Sequence, residues 1–260
     1  YKPGATLDRT LEYGGKTVPI YRDRPLNVFS DVDFIWTDEE NENQRRLEYL
    51  GGEFRTRYGI DVSSFQGEID WDAVADDNID FAMVRVGFRG TGTGSLNTDK
   101  YYEQNIRGAM RAGLETGVYF FAQAVTVEEA IEEADYVISL LDGLDINGPV
   151  AYDWEMHDST YRVYGTSPEM ATACAVAFCQ RIKDAGYTPM VYGGTYVTYM
   201  KYDQGALADY LSWYPEYKSE KSEKLCPTLV YHMDYWQFSS TRAVAGINGR
   251  VDMNIQFIRR

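Results

Sequence analysis

Two carboxylates stand two residues apart behind a short apolar run in Pro149-Val150-Ala151-Tyr152-Asp153-Trp154-Glu155. The run reads as a buried strand that opens into a site. Side chains alternate faces along a strand, so Asp153 and Glu155 point the same way, with Cα atoms roughly 6.5–7 Å apart, and Trp154 points into packing. Paired acids at that spacing suit cleavage of a glycosidic bond, which needs one proton donor and one carboxylate that stays charged. Alone the pattern is weak, because Asp-x-Glu also occurs on solvated strands.

A scaffold must hold such a pair. The 260 residues, 44% of them hydrophobic, can bury one large core with an appendage. A net charge of -15 argues against a nucleic-acid partner, which would need clustered Lys and Arg. No apolar run approaches the roughly 20 residues of a membrane span, and the absence of Met at Tyr1 leaves room for a removed signal or anchor. Cys174, Cys179 and Cys226 have no metal-ligand spacing and read as packing thiols. Cys174 and Cys179 lie five apart on a predicted helix, about 140° around its axis, which argues against a disulfide between them. The 22 Tyr and 5 Trp fit either sugar stacking or an aromatic-rich core.

Residues 1–57 differ from the rest. Thr17–Tyr21 and Asp33–Trp36 read as short strands, with Pro19 at an edge. A solvated charge run, Asp38-Glu39-Glu40-Asn41-Glu42-Asn43, precedes a predicted short helix over Arg45–Leu50 and a Gly51-Gly52 break. We read this part as an N-terminal extension of unknown role, packed on a main domain of residues 58–260 or linking it to something upstream. From Tyr58 strands alternate with helices: strand Ile60–Val62, a short helix from Asp70, strand Ile79–Gly87, helix Tyr101–Ala112 closed by Gly113, and strand Val118–Ala122. A capping box of Thr126 with Glu129 starts the next helix, which leads to strand Val150–Trp154. Ser167-Pro168 caps the longest helix, and Met190–Tyr192 is the fifth strand. Beyond it the helical signal fades to one piece over Gln204–Tyr210 among strand candidates at Leu211–Trp213, Leu229–Tyr231, Tyr235–Gln237 and Val251–Asn254. The pattern predicts an α/β TIM-barrel-like barrel whose last helices are missing or stunted; an open doubly wound sheet would leave the final strands unexplained.

In a parallel barrel the reacting groups lie at the carboxyl ends of the strands. Asp61, Asp153 and Glu155 fall there, and Asp252 sits by the last strand, so four acids from separated parts of the chain converge on one mouth. Each alone reads as a loop or capping acid, but a chance cluster of mutually repelling acids would be avoided. A Mg²⁺ or Ca²⁺ site is the rival use. With only His157 and His232 and no EF-hand loop, no metal and no cofactor are expected. His157 reads as a loop residue or a subsite residue. Gly90-Thr91-Gly92-Thr93-Gly94 lacks the residues of a phosphate loop, and no Gly-x-Ser-x-Gly elbow is present.

The segments Asp61-Val62-Ser63-Ser64-Phe65-Gln66-Gly67, Ile69-Asp70-Trp71, Met83–Gly87, Gly117–Phe121, Asp153-Trp154-Glu155, Tyr235-Trp236-Gln237 and Gly249–Asn254 together resemble glycoside hydrolase family 25, the muramidases of the Chalaropsis lysozyme type. The resemblance covers roughly residues 58–258. It implies an eight-stranded barrel with a reduced helix set that cleaves the β-1,4 bond between N-acetylmuramic acid and N-acetylglucosamine in bacterial peptidoglycan. It also implies a secreted or wall-associated protein that acts as a monomer. Carried over, Glu155 resembles the general acid, whose pKa its acidic neighbours would raise, and Asp153 the carboxylate that stays ionised. Asp61 and Asp252 resemble supporting acids. Tyr119, Tyr192, Trp213 and Trp236 are candidates for the saccharide groove, with Gln237 and Arg85 as polar partners. A peptidoglycan-binding module without activity is the alternative.

Overall fold

The computed structural model describes residues 5–37 and 42–260. The N-terminal part contains a hairpin, β1 (Leu7–Tyr13) with β2 (Lys16–Tyr21), and a second antiparallel pair, β3 (Phe34–Trp36) with β4 (Leu47–Tyr49). The predicted helix over Arg45–Leu50 is therefore a strand. Leu47 is buried, Glu48 exposed and Tyr49 packed on the core, a period of two that pairs with β3. Of the charge run, residues 38–41 lie outside the described residues, and Glu42–Gln44 forms a short 3-10 turn.

The barrel consists of β5 (Phe54–Val62), β6 (Phe81–Arg89), β8 (Glu115–Ala122), β9 (Val150–Trp154), β10 (Pro189–Tyr192), β11 (Leu211–Pro215), β12 (Tyr235–Arg242) and β13 (Val251–Arg259), closed by pairing of β5 with both β6 and β13. A short strand, β7 (Leu96–Thr98), adds to the edge of β6. Strand β5 extends four residues upstream of position 58, because β13 pairs along it as far as Arg259 opposite Phe54.

Helices α1 (Trp71–Asp76), α2 (Tyr102–Arg111), α3 (Val127–Leu140) and α4 (Pro168–Asp184) cover the first strands, followed by the short α5 (Thr195–Met200). Their starts follow the chemistry of the sequence. The Thr126 and Ser167 hydroxyls accept hydrogen bonds from the Glu129 and Met170 amides, and Asp70 does the same for Ala73. Residues 204–210 form turns and no helix. The Asp203 carboxylate accepts from the Gly205 and Ala206 amides, which locks a side-chain turn where a helix would have to continue. Leu229–Tyr231 is not a barrel strand; Tyr231 makes only an isolated bridge to Leu26. No helix among the described residues is long and apolar enough to cross a membrane.

Seven strands run parallel, and β13 runs against them. The eight residues between Arg242 and Val251 are too few for a crossover, which takes a dozen or more, so β13 must return antiparallel. The same shortage of helices leaves the outer faces of β12 and β13 bare, and the N-terminal extension covers them. Phe34 packs edge-on against Trp236 at 5.4 Å, Trp36 lies 6.1 Å from Phe238, and Phe29 lies 4.4 Å from Phe257. Inside the barrel, Phe81, Met83, Ala151, Met190, Tyr192, Trp213 and Tyr235 fill a separate core. Gly59 makes room for it, since a Cβ there would stand 2.2 Å from the Phe81 ring.

Candidate active site

Alternation along the barrel strands decides which side chains reach the interior. On β9, Ala151 and Asp153 face in, while Tyr152 packs 4.8 Å from Phe178 of α4 and Trp154 is buried in the outer core. The Trp154 indole N–H donates to the Ala124 carbonyl at 3.2 Å. Glu155 follows directly where the ladder ends.

Asp61 lies near the carboxyl end of β5, and Asp252 lies opposite it in register near the start of β13. Only the reversal of β13 brings the amino end of a strand to this mouth. The Asp61 Oδ2 accepts hydrogen bonds of 2.8 Å from both the Gln237 and the Asn254 side-chain amides, and Asp61 shares a further one with Asp252. The Asn254 carbonyl in turn accepts from the Trp213 indole N–H at 2.8 Å, and the Gln237 carbonyl accepts from Tyr192 and Tyr217 hydroxyls at 3.2 and 3.1 Å. Asp61 is thus the hub that orients three aromatic residues. The Tyr119 and Tyr192 rings meet Trp213 edge-on at 5.8 and 4.9 Å. Arg85 donates to Asp99 through Nε at 2.9 Å and Nη2 at 2.8 Å and to Ser64 Oγ at 3.2 Å, with the Phe65 ring 5.1 Å away. A buried carboxylate thereby fixes its charge beside the acids.

Arg85, Tyr119, Tyr192, Trp213, Tyr217 and Gln237 line a cavity of about 230 Å³ together with Asp61, Asp153, Glu155 and Asp252. A second cavity, about 400 Å³, is lined by Glu155, His157, Tyr196, Pro215 and other residues. Glu155, Tyr192 and Tyr217 belong to both, so Glu155 stands where a deep acidic lobe meets a more apolar one.

Burial dominates the electrostatics of the deep lobe. It pushes the Asp153 carboxyl well above the usual carboxylate range, and the neighbouring Glu155 charge adds to this. Asp61 is pushed up to about 6 by burial, against the opposing pull of its Asn254 and Gln237 donors. Asp252 is pushed up to about 8, by burial first and then by the Asp61 and Glu155 charges. Asp153 is 6% exposed, and its Oδ1 has no hydrogen-bond partner among the described residues. Glu155 keeps 24% side-chain exposure, and its Oε2 lies 2.5 Å from His157 Nε2.

The structure brings Asp61, Asp153, Glu155, Asp252, Tyr119, Tyr192, Trp213, Gln237 and Arg85 to one mouth. Trp236 is corrected: it is fully buried on the outside of β12 and donates its indole N–H to the Glu216 carbonyl at 3.0 Å. Adjacent residues of a strand face opposite ways, so Gln237 inside requires Trp236 outside. Asn254 and Tyr217 were missed. Asn254 was legible, two residues after Asp252 on the same face, whereas nothing in the sequence around Tyr217 marks a loop that turns back over the mouth.

The model of glycosyl hydrolases family 25 matches residues 60–247, which include Asp61, Asp153 and Glu155 and stop short of Asp252. The autolytic lysozyme of Clostridium acetobutylicum is 25% identical over 197 residues, 75% of this chain and 54% of its own length, so the chain spans about half of that relative. The crystal structure of the bacterial lysozyme from Streptomyces coelicolor is 26% identical with a TM-score of 0.62, covering 76% of this chain and 90% of the other. The modular autolysin LytC from Streptococcus pneumoniae, 24% identical, shares the fold over 95% of this chain and 57% of its own, at a TM-score of 0.66.

Proposed function

The chain belongs to glycosyl hydrolases family 25, and from that premise we propose that it is a muramidase, cleaving the β-1,4 bond between N-acetylmuramic acid and N-acetylglucosamine in bacterial peptidoglycan. The observation that carries the reading is the position of Glu155 at the junction of the two lobes, beside a buried Asp153. The muramic acid residue sits in the acidic lobe, and the departing glucosamine lies toward His157 and Tyr196. The barrel carries the activity, and residues 1–57 serve as an extension that closes its outer face. The site of action is the cell wall, reached by a secreted or wall-associated protein that works as a monomer.

In the resting site the Asp153 carboxyl holds a proton, as its burial favours. The acetamido N–H of a bound muramic acid supplies Asp153 Oδ1 with the partner it lacks and stabilises its charge, which moves the proton to Glu155. Glu155 then protonates the bridging oxygen as the bond from C1 to that oxygen breaks, and glucosamine leaves with the proton. The acetamido carbonyl oxygen closes on C1 from the opposite face, while ionised Asp153 balances the positive charge of the ring that forms. Water attacks C1, opens that ring and returns a proton to Glu155, so the anomeric configuration is retained. Asp61 and Asp252 hold sugar hydroxyls and the Gln237 and Asn254 amides in place.

Digestion of defined peptidoglycan, with the new reducing ends identified, tests the bond. Muramic acid at the new end is expected, and glucosamine there overturns the assignment.

A further inference from the structure

Glu155 lies one residue beyond the last ladder hydrogen bond of β9, so its backbone needs another anchor. The Gln123 side chain supplies it. Its Nε2 donates to the Glu155 carbonyl oxygen at 2.9 Å, and the side chain is fully buried at the end of β8. The Gln123 backbone is itself held from two sides. Its amide N–H donates to Glu133 Oε1 at 3.0 Å, the same oxygen that accepts from Arg89 Nε at 2.8 Å. Its carbonyl oxygen accepts from Arg162 Nη1 at 2.9 Å. The Trp154 bond to Ala124 runs the opposite way between the same two segments, so the ends of β8 and β9 are laced by two side chains.

We propose that Gln123 is a positioning residue for the proton donor, setting the height of Glu155 over the mouth by holding its main-chain oxygen. This rests on the reading of Glu155 as the general acid. A residue beyond the ladder would otherwise swing through several backbone states, and proton transfer to the bridging oxygen requires near hydrogen-bond contact. The buried Arg89 and Glu133 pair holds the Gln123 backbone in place, and Arg89 also ties that point to the Gly94 and Glu129 carbonyls.

The test compares wild type, Gln123→Met and Glu155→Gln on cell walls and on the 2,4-dinitrophenyl glycoside of the glucosamine-muramic acid disaccharide, whose leaving group departs without a proton. Met keeps the length of Gln and removes its donor. A donor misplaced by about 1 Å costs up to roughly a hundredfold, so wall clearing by Gln123→Met should fall between about tenfold and a hundredfold, with KM within about threefold of wild type. The ratio of wall rate to the single-turnover rate of dinitrophenolate release should fall by about the same factor, because that release needs no proton, whereas the later attack of water draws on Glu155 with either substrate. Equal losses on both substrates would mean a purely structural role, and no loss on either would mean that Glu155 needs no such anchor; each overturns the proposal. A Glu155→Gln variant that still clears walls at the wild-type rate removes the underlying reading instead, and so separates the two failures.

Discussion

Replacing Asp252 by Asn should stabilise the protein, and only above the acid range. Asp252 faces Asp61 across the antiparallel β13 and β5 pair, and its carboxyl is pushed from 3.8 up to about 8 by burial and by the Asp61 and Glu155 charges. A carboxyl whose folded pKa is raised binds its proton more tightly in the native state. Its contribution is therefore fully present below 3.8 and is lost as pH rises toward about 8. At about 1.4 kcal/mol per pH unit the rise sets a ceiling of about 6 kcal/mol. Partial solvent access and a proton shared with Asp61 relieve much of that, so about 2 kcal/mol is the expected gain. Asn can still donate to Asp61, as the protonated acid does. Urea unfolding at pH 4, 6, 8 and 9 measures this: the variant and wild type should be nearly equal at pH 4 and diverge steadily to pH 8. A gain of similar size at every pH, or a loss at pH 9, would refute the argument that the acids repel across this register.

Glu155→Gln should reduce wall clearing by about 10²–10⁴-fold, the usual worth of a general acid, without lowering the melting temperature; a drop of several degrees would make the residue structural. Trp236→Ala should cost about 3–5 kcal/mol through the cavity it opens beneath Phe34, while KM for cell walls stays unchanged in the folded protein. A raised KM with intact stability would return Trp236 to the groove. The first product released from peptidoglycan should carry the β anomer by proton NMR, and an inverted product would remove the acetamido-assisted step.

Much of the barrel was legible because its signals are local. The Val150–Trp154 strand, the Ser167-Pro168 start of α4 and the glycine after each of its first long helices depend on neighbours within a few residues. The misreadings share a cause of another kind. Arg45–Leu50 has helix-forming side chains, but Leu47 and Tyr49 are claimed by a strand partner more than ten residues away. Trp236 and Gln237 were both assigned to the groove, although a period of two admits only one of them, and choosing between them requires knowing which face is the inside.

What the sequence by itself determined is the identity of the acids, the Asp153 and Glu155 spacing, and most strands and helix caps, since each follows from alternation, turn chemistry or side-chain type. What only the tertiary structure decided is the pairing of Asp252 with Asp61, the hold of Asn254 and Gln237 on that pair, and the use of the N-terminal strands in place of missing helices. Those facts depend on barrel closure. A closed sheet brings its first and last strands into register across nearly 200 residues of chain, and burial in its interior then shifts the charge balance of acids that sequence shows only as separate letters.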